Sequence, residues 1–118
     1  MTLITRQQFQ ALLANGRAAR EARQHGRDID PYPVVKLFTP DASCTWLLTE
    51  LDPEDPDRAF GLDDLGQGFP ELGYVSLREI QSLRGLMGLT VERDRHFAAG
   101  KPLSAYAEEA RQHRRIIA

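Results

Sequence analysis

The sequence is poor in cysteine, in long apolar runs and in net charge, and each shortage excludes something. One cysteine, Cys44, among 118 residues leaves no partner for an internal disulfide and suits a reducing compartment. No apolar run approaches the roughly 18 residues of a membrane-spanning helix. The opening MTLITRQQFQALLANG has neither the basic start nor the long apolar stretch of a signal peptide. The expectation is a cytoplasmic protein with no membrane association. A formal net charge of only −2 argues against an acidic mimic of DNA, which needs a far more negative molecule.

Catalytic motifs are missing too. His25, His96 and His113 lack zinc-ligand spacing with Cys44. GLDDLGQG has no strand–loop–helix setting for a phosphate loop, and Ser76 sits in no nucleophile elbow. No catalytic residue, metal or cofactor is expected.

What is present is ordinary for a globular domain: 42% hydrophobic and 27% charged residues. The charge is unevenly placed. Residues 1–30 carry +2, residues 31–75 carry −7, and residues 76–118 carry +3.

Thr5-Arg-Gln-Gln8 is a capping-box pattern that opens a helix. Asn15-Gly16 can stop it, so residues 1–30 form either two helical segments or one helix with a weak point. VVKLFT (34–39) and CTWLLTEL (44–51) are strand-like, and Pro40–Ser43 has turn chemistry. With those four residues as the loop, Val35, Leu37, Trp46 and Leu48 form one apolar stripe. Lys36, Thr45, Thr49, Phe38 and Leu47 then point the other way. Glu50 continues the Trp46–Leu48 stripe toward the covered face, where Arg93 is a possible partner.

DPEDPDR (52–58) is a loop by its prolines and acids, AFGL (59–62) a short strand, and DDLGQGFP (63–70) another loop. LGYVS (72–76) is a strand leading into a helix over 77–84, capped by Ser76 with Glu79. LTVE (89–92) is a fifth strand, and residues 103–115 form a closing helix that Ser104 can cap. The expected class is α+β: one domain over 1–118, with helical entry 1–30, a sheet core of four to five short antiparallel strands over 34–97 with an inserted helix, and a C-terminal helix. Helices should cover at least one sheet face.

KLFTPDASCTWLLTELDPEDPD, AFGLDDLGQGFPELGYVSL and LRGLMGLTVERDRHF, in that order, closely resemble the uncharacterised bacterial family catalogued as domain of unknown function twenty-nine fifty-eight. The resemblance runs from about Leu3 to Ile116. It implies bacterial origin, frequently on plasmids and other mobile elements, and supplies no established activity, ligand or catalytic residue. Leu86-Met87 stands where the family often has proline after Arg-Gly, a departure expected to loosen that turn.

Three functional readings follow. In the first, the chain is a non-enzymatic accessory protein that binds another protein through the acidic loop 52–58 and the 63–71 loop, with Glu54, Asp55, Asp57, Glu71 and Tyr74 as contact residues. Glu71 after Pro70 reads first as a residue that shapes the strand entry. The second is a metal-dependent hydrolase using Glu50, Glu71, Glu92 and Asp94, although Arg93 and Arg95 alternate with the last two and suggest ion pairing. The third is a nucleic-acid binder that uses Arg17, Arg20, Arg23 and Arg27, opposed by the −7 of the sheet segment. Oligomeric state and partner identity are not legible.

Overall fold

The computed structural model describes residues 3–118. Helix α1 (Arg6–Gln24) opens on the expected capping box: Gln8 N donates to Thr5 Oγ1 at 3.0 Å, and Thr5 N donates to Gln8 Oε1 at 2.9 Å. It then runs unbroken through Asn15-Gly16. Gly16 is buried where the helix meets the sheet, and a Cβ there would lie 1.7 Å from Leu51 O. The glycine permits close approach and does not end the helix.

Strands β1 (Val35–Phe38), β2 (Thr45–Asp52), β3 (Asp55–Asp64), β4 (Glu71–Ser76) and β5 (Glu92–Arg93) form one antiparallel sheet in the order β4-β3-β2-β1-β5. Helix α2 (Leu77–Ser82) follows β4, and α3 (Leu103–His113) closes the chain. The class is α+β, as expected. The β1–β2 register is also as read, with Val35 opposite Leu48 and Leu37 opposite Trp46.

Helices cover both faces. Val35, Leu37, Trp46, Leu48 and Leu51 pack with Leu12 of α1 and Ile80 of α2, and Leu47 and Leu62 pack on the other face with Leu103, Tyr106 and Ala110 of α3. Trp46 is buried on the α1 side. Burying Leu, Ile and Trp side chains of this kind contributes roughly 1.5–3 kcal/mol each, and two such layers hold the sheet rigid between them.

Several boundaries differ from the sequence reading, each for a physical reason. Residues 52–58 are no open loop: β2 and β3 meet in a tight hairpin, Asp52 opposite Asp55, with only Pro53-Glu54 between. Pro56 is tolerated because the ladder has barely begun there. The fifth strand is Glu92–Arg93, not 89–92, and the helices end earlier, at Ser82 and His113. Ser104 does not cap α3. Instead Asp30 accepts from Ser104 N at 3.0 Å and from the Ser104 hydroxyl, so the cap comes from a distant segment.

The largest difference concerns Glu50. A β-bulge between Leu48 and Glu50 leaves Thr49 as the extra residue, and Glu50 pairs with Phe60. Glu50 therefore points to the α3 side with Phe60, while Leu51 takes the place on the α1 side. Arg93, its expected partner, donates to Leu3 O at 3.1 Å instead.

Candidate functional site

The ten residues of β3 carry the chain from one end of the sheet to the other, roughly 30 Å at the usual strand rise. The candidate contact residues are thereby separated. Glu54 and Asp55 are exposed at the β2–β3 hairpin. Glu71 lies at the far end, opposite Asp63 in the β3–β4 ladder.

Asp57 is engaged locally. It accepts from Ser76 Oγ at 2.5 Å and from Arg78 N at 2.8 Å, tying the start of α2 to β3. These bonds, the Ser76 one foremost, hold its carboxyl below the usual range. Ser76 also accepts from Glu79 N at 3.2 Å, the capping role read from the sequence. Tyr74 packs edge-on against Phe60 with ring centroids 5.0 Å apart, and the Arg58 guanidinium lies 3.7 Å above its ring.

The four carboxylates of the hydrolase reading are spread over the sheet. Glu71 is on one edge strand and Glu92 on the other, with three strands between, roughly 19 Å at the usual interstrand spacing. Asp94 is drawn into local bonds: His96 N donates to it at 2.9 Å and Lys36 pairs with it at 3.5 Å, the His96 bond chiefly lowering its pKa. Among the described residues, no three His, Cys, Asp or Glu side chains are placed to hold one metal ion.

The arginines diverge as well. Arg17 and Arg20 line a shallow hollow with Glu21 and Glu54, Arg23 lines a different cavity with Glu50, and Arg27 lies beyond the end of α1. The Cys44 thiol is partly buried and its pKa is pushed up by that burial, which disfavours the reactive thiolate.

What the fold does assemble lies at the Glu71 end. The 39–44 turn, the 65–70 loop and the 83–91 loop come together there: Asp41 binds the 83–91 loop, and Ser43 abuts Gly66. This end exposes Leu86 (91%), Met87 (81%) and Phe69 (73%), with Leu65, Leu83 and Leu89 about half exposed.

The Leu86-Met87 turn is not loosened by its lack of proline. Asp41 Oδ2 accepts from Met87 N at 2.6 Å and from Leu89 N at 3.2 Å, and Gly88 adopts a φ of 81° that closes the turn onto Gly85 O. A side chain at Gly85 would collide with Asp41. The two apolar side chains are thus held out from a pinned backbone.

Below this rim a groove of about 490 Å³ runs between α2 and the β3–β4 edge. Trp46, Leu65, Ile80 and Leu83 line it toward the rim, and Asp55 and Asp57 close it toward the hairpin. Asp63 lies directly across from Trp46 on one side and Glu71 on the other. Its Oδ1 is buried without a hydrogen bond among the described residues, and its pKa is raised to about 7, first by burial and then by the Glu71 charge. Gly73 leaves open space beside it, since a Cβ there would meet only Asp63 Oδ2 at 3.9 Å.

The sequence reading missed this rim because Leu65, Phe69, Leu86 and Met87 belong to separate loops. The one local signal was GLMGL, an apolar run between glycines where turn chemistry calls for polar residues.

Among the described residues no helix is long and apolar enough to cross a membrane. No curated protein and no solved structure matches the chain. The model of the family described as "Protein of unknown function (DUF2958)" matches residues 3–117, nearly the whole length, and the chain belongs to that family.

Proposed function

We propose that the chain is a small, non-enzymatic protein-binding module, serving as an accessory protein of a bacterial mobile element in the cytoplasm. Its contact surface is the apolar rim formed by the 65–70 and 83–91 loops, together with the groove beneath. The observation that carries this reading is the exposure of Leu86 and Met87 on a backbone pinned by Asp41, with Phe69 exposed at the same end. Contiguous exposed apolar side chains mark interaction sites, and pinning them in advance reduces the ordering cost of binding.

Charge complementarity gives the partner its chemistry. Glu71 is exposed at the rim end of the sheet, opposite Asp63 in the β3–β4 ladder. A lysine or arginine next to an apolar anchor would pair with Glu71 while the anchor covers Leu86 and Met87. Glu54 at the tip of the acidic hairpin, part of the surface expected from sequence, lies at the opposite end of the sheet and outside the groove.

A photocrosslinking phenylalanine analogue in place of Met87, and separately in place of Glu54, tests the assignment in bacteria carrying the protein. Crosslinks to a discrete protein from position 87 and none from position 54 are expected. The reverse pattern would reject the rim.

A further inference from the structure

A second site lies on the other face. A cavity of about 520 Å³ opens between the C-terminal half of α1, the 28–31 segment, the α3 face of the sheet and the start of α3. Phe60, Leu72, Tyr74 and Leu103 supply apolar walls, and Glu50 is the carboxylate set among them. That volume suits a small organic molecule.

Glu50 stands out by what it lacks. It is half-buried, yet among the described residues it forms no ion pair and its carboxylate accepts no hydrogen bond. Arg23 lines the same cavity and contributes only a distant field. Asp30 is already bound to Ser104, and Asp28 adds a further negative charge at the mouth. Partial burial disfavours the charged carboxylate, and a cation seated in the cavity would offset that cost.

The backbone is built to put it there. The Thr49 bulge turns Glu50 from the Trp46 side into the cavity, and bulges often re-aim a side chain beside a functional site. The bulge is held from both sides. Asn15 Nδ2 donates to Thr49 O at 2.9 Å, and Thr49 Oγ1 donates to Phe60 O at 3.3 Å.

We propose that this cavity binds a small organic cation, a primary ammonium on an apolar body, with Glu50 as counter-ion and the Phe60–Tyr74 pair as wall. The ammonium donates to the Glu50 carboxylate, and the apolar body covers Leu72 and Leu103. Aromatic rings favour a cation nearby, and both Phe60 and Tyr74 line the cavity. The inference is independent of the rim, which lies around separate loops.

The test is an amide NMR titration of the full chain with 2-phenylethylammonium and, separately, its neutral counterpart 2-phenylethanol. The ammonium should shift Thr49–Leu51, Phe60, Tyr74 and Leu103, and should bind about tenfold or more tighter than the alcohol, the low end for a charge-assisted hydrogen bond. Glu50→Gln preserves the shape and should bring the two ligands level. The preference should also fade as pH drops and Glu50 takes up a proton.

An ammonium preference that persists in Glu50→Gln would overturn the proposal. So would equal binding of both ligands to the native chain, or shifts confined to other residues. If Glu50→Gln misfolds, the native chain's discrimination between the two ligands decides the matter alone.

Discussion

Asp63→Asn should stabilise the protein at alkaline pH and do nothing at acid pH. Asp63 ionises near pH 7 in the folded chain against 3.8 ordinarily, mainly because burial disfavours its charged form, with Glu71 adding to the effect. That displacement corresponds to roughly 4 kcal/mol of charging cost at full ionisation. Water penetration and relaxation reduce such costs, and about 2 kcal/mol is the working figure.

The sign follows from proton counting. The folded state binds a proton more tightly than the unfolded state, so the charging cost is fully present above about pH 7. It fades as pH falls and is gone below about 3.8, where both states are protonated. Asparagine never charges. The variant should therefore gain about 2 kcal/mol at pH 8, roughly 8 °C in Tm for a domain of this size, and match the native chain near pH 3.5.

Urea unfolding followed by fluorescence suits the measurement, because Trp46 is the sole tryptophan, is buried, and lies directly across from Asp63. A gain that is the same at every pH would refute the charging argument, and so would destabilisation at pH 8.

Gly16→Ala should destabilise by about 2–3 kcal/mol in urea unfolding, since the new Cβ meets the Leu51 carbonyl and the gain in helix propensity offsets only part of the overpacking; a neutral outcome would mean α1 does not press on β2 there. Asp57→Ala should cost about 1–2 kcal/mol by removing both bonds at the start of α2. Because the Asp57 pKa is lowered in the folded state, its contribution is present above about pH 3.8 and is lost as pH falls through the folded value. Thermal melts over a falling series of pH values below 3.8 should therefore show the two chains converging.

The parts of the fold legible in the sequence are those settled by near neighbours. Pro40–Ser43 sets the loop length, the loop length sets the register, and the register puts Val35, Leu37, Trp46 and Leu48 on one face. Thr5 with Gln8 and Ser76 with Glu79 announce their helices within one turn.

The illegible parts depend on distant contacts. The Thr49 bulge relies on Asn15, 34 residues away, so the face of Glu50 could not follow from alternation. Asn15-Gly16 resembles a helix stop locally, but both residues serve the contact between α1 and β2. Prolines and acids at 52–58 suggest an open loop, yet the hairpin needs only Pro53-Glu54, and β3 starts at once. The candidate site was the least visible, because a lone exposed Leu or Phe in a loop is ordinary. Only the fold gathers Phe69, Leu86 and Met87 at one end.

The most direct test of the binding rim is a nuclease-treated affinity capture from bacterial lysate, quantified by mass spectrometry for three forms of the chain. Leu86→Asp with Met87→Asp alters only exposed side chains and should leave stability within about 0.5 kcal/mol. Glu54→Lys reverses the exposed acid at the hairpin tip and spares Asp55 and Asp57, which line the groove. The rim reading predicts one discrete protein captured by the native chain and the hairpin variant alike, and depleted about tenfold or more by the rim variant. Capture unaffected by the rim variant and lost with the hairpin variant would contradict it.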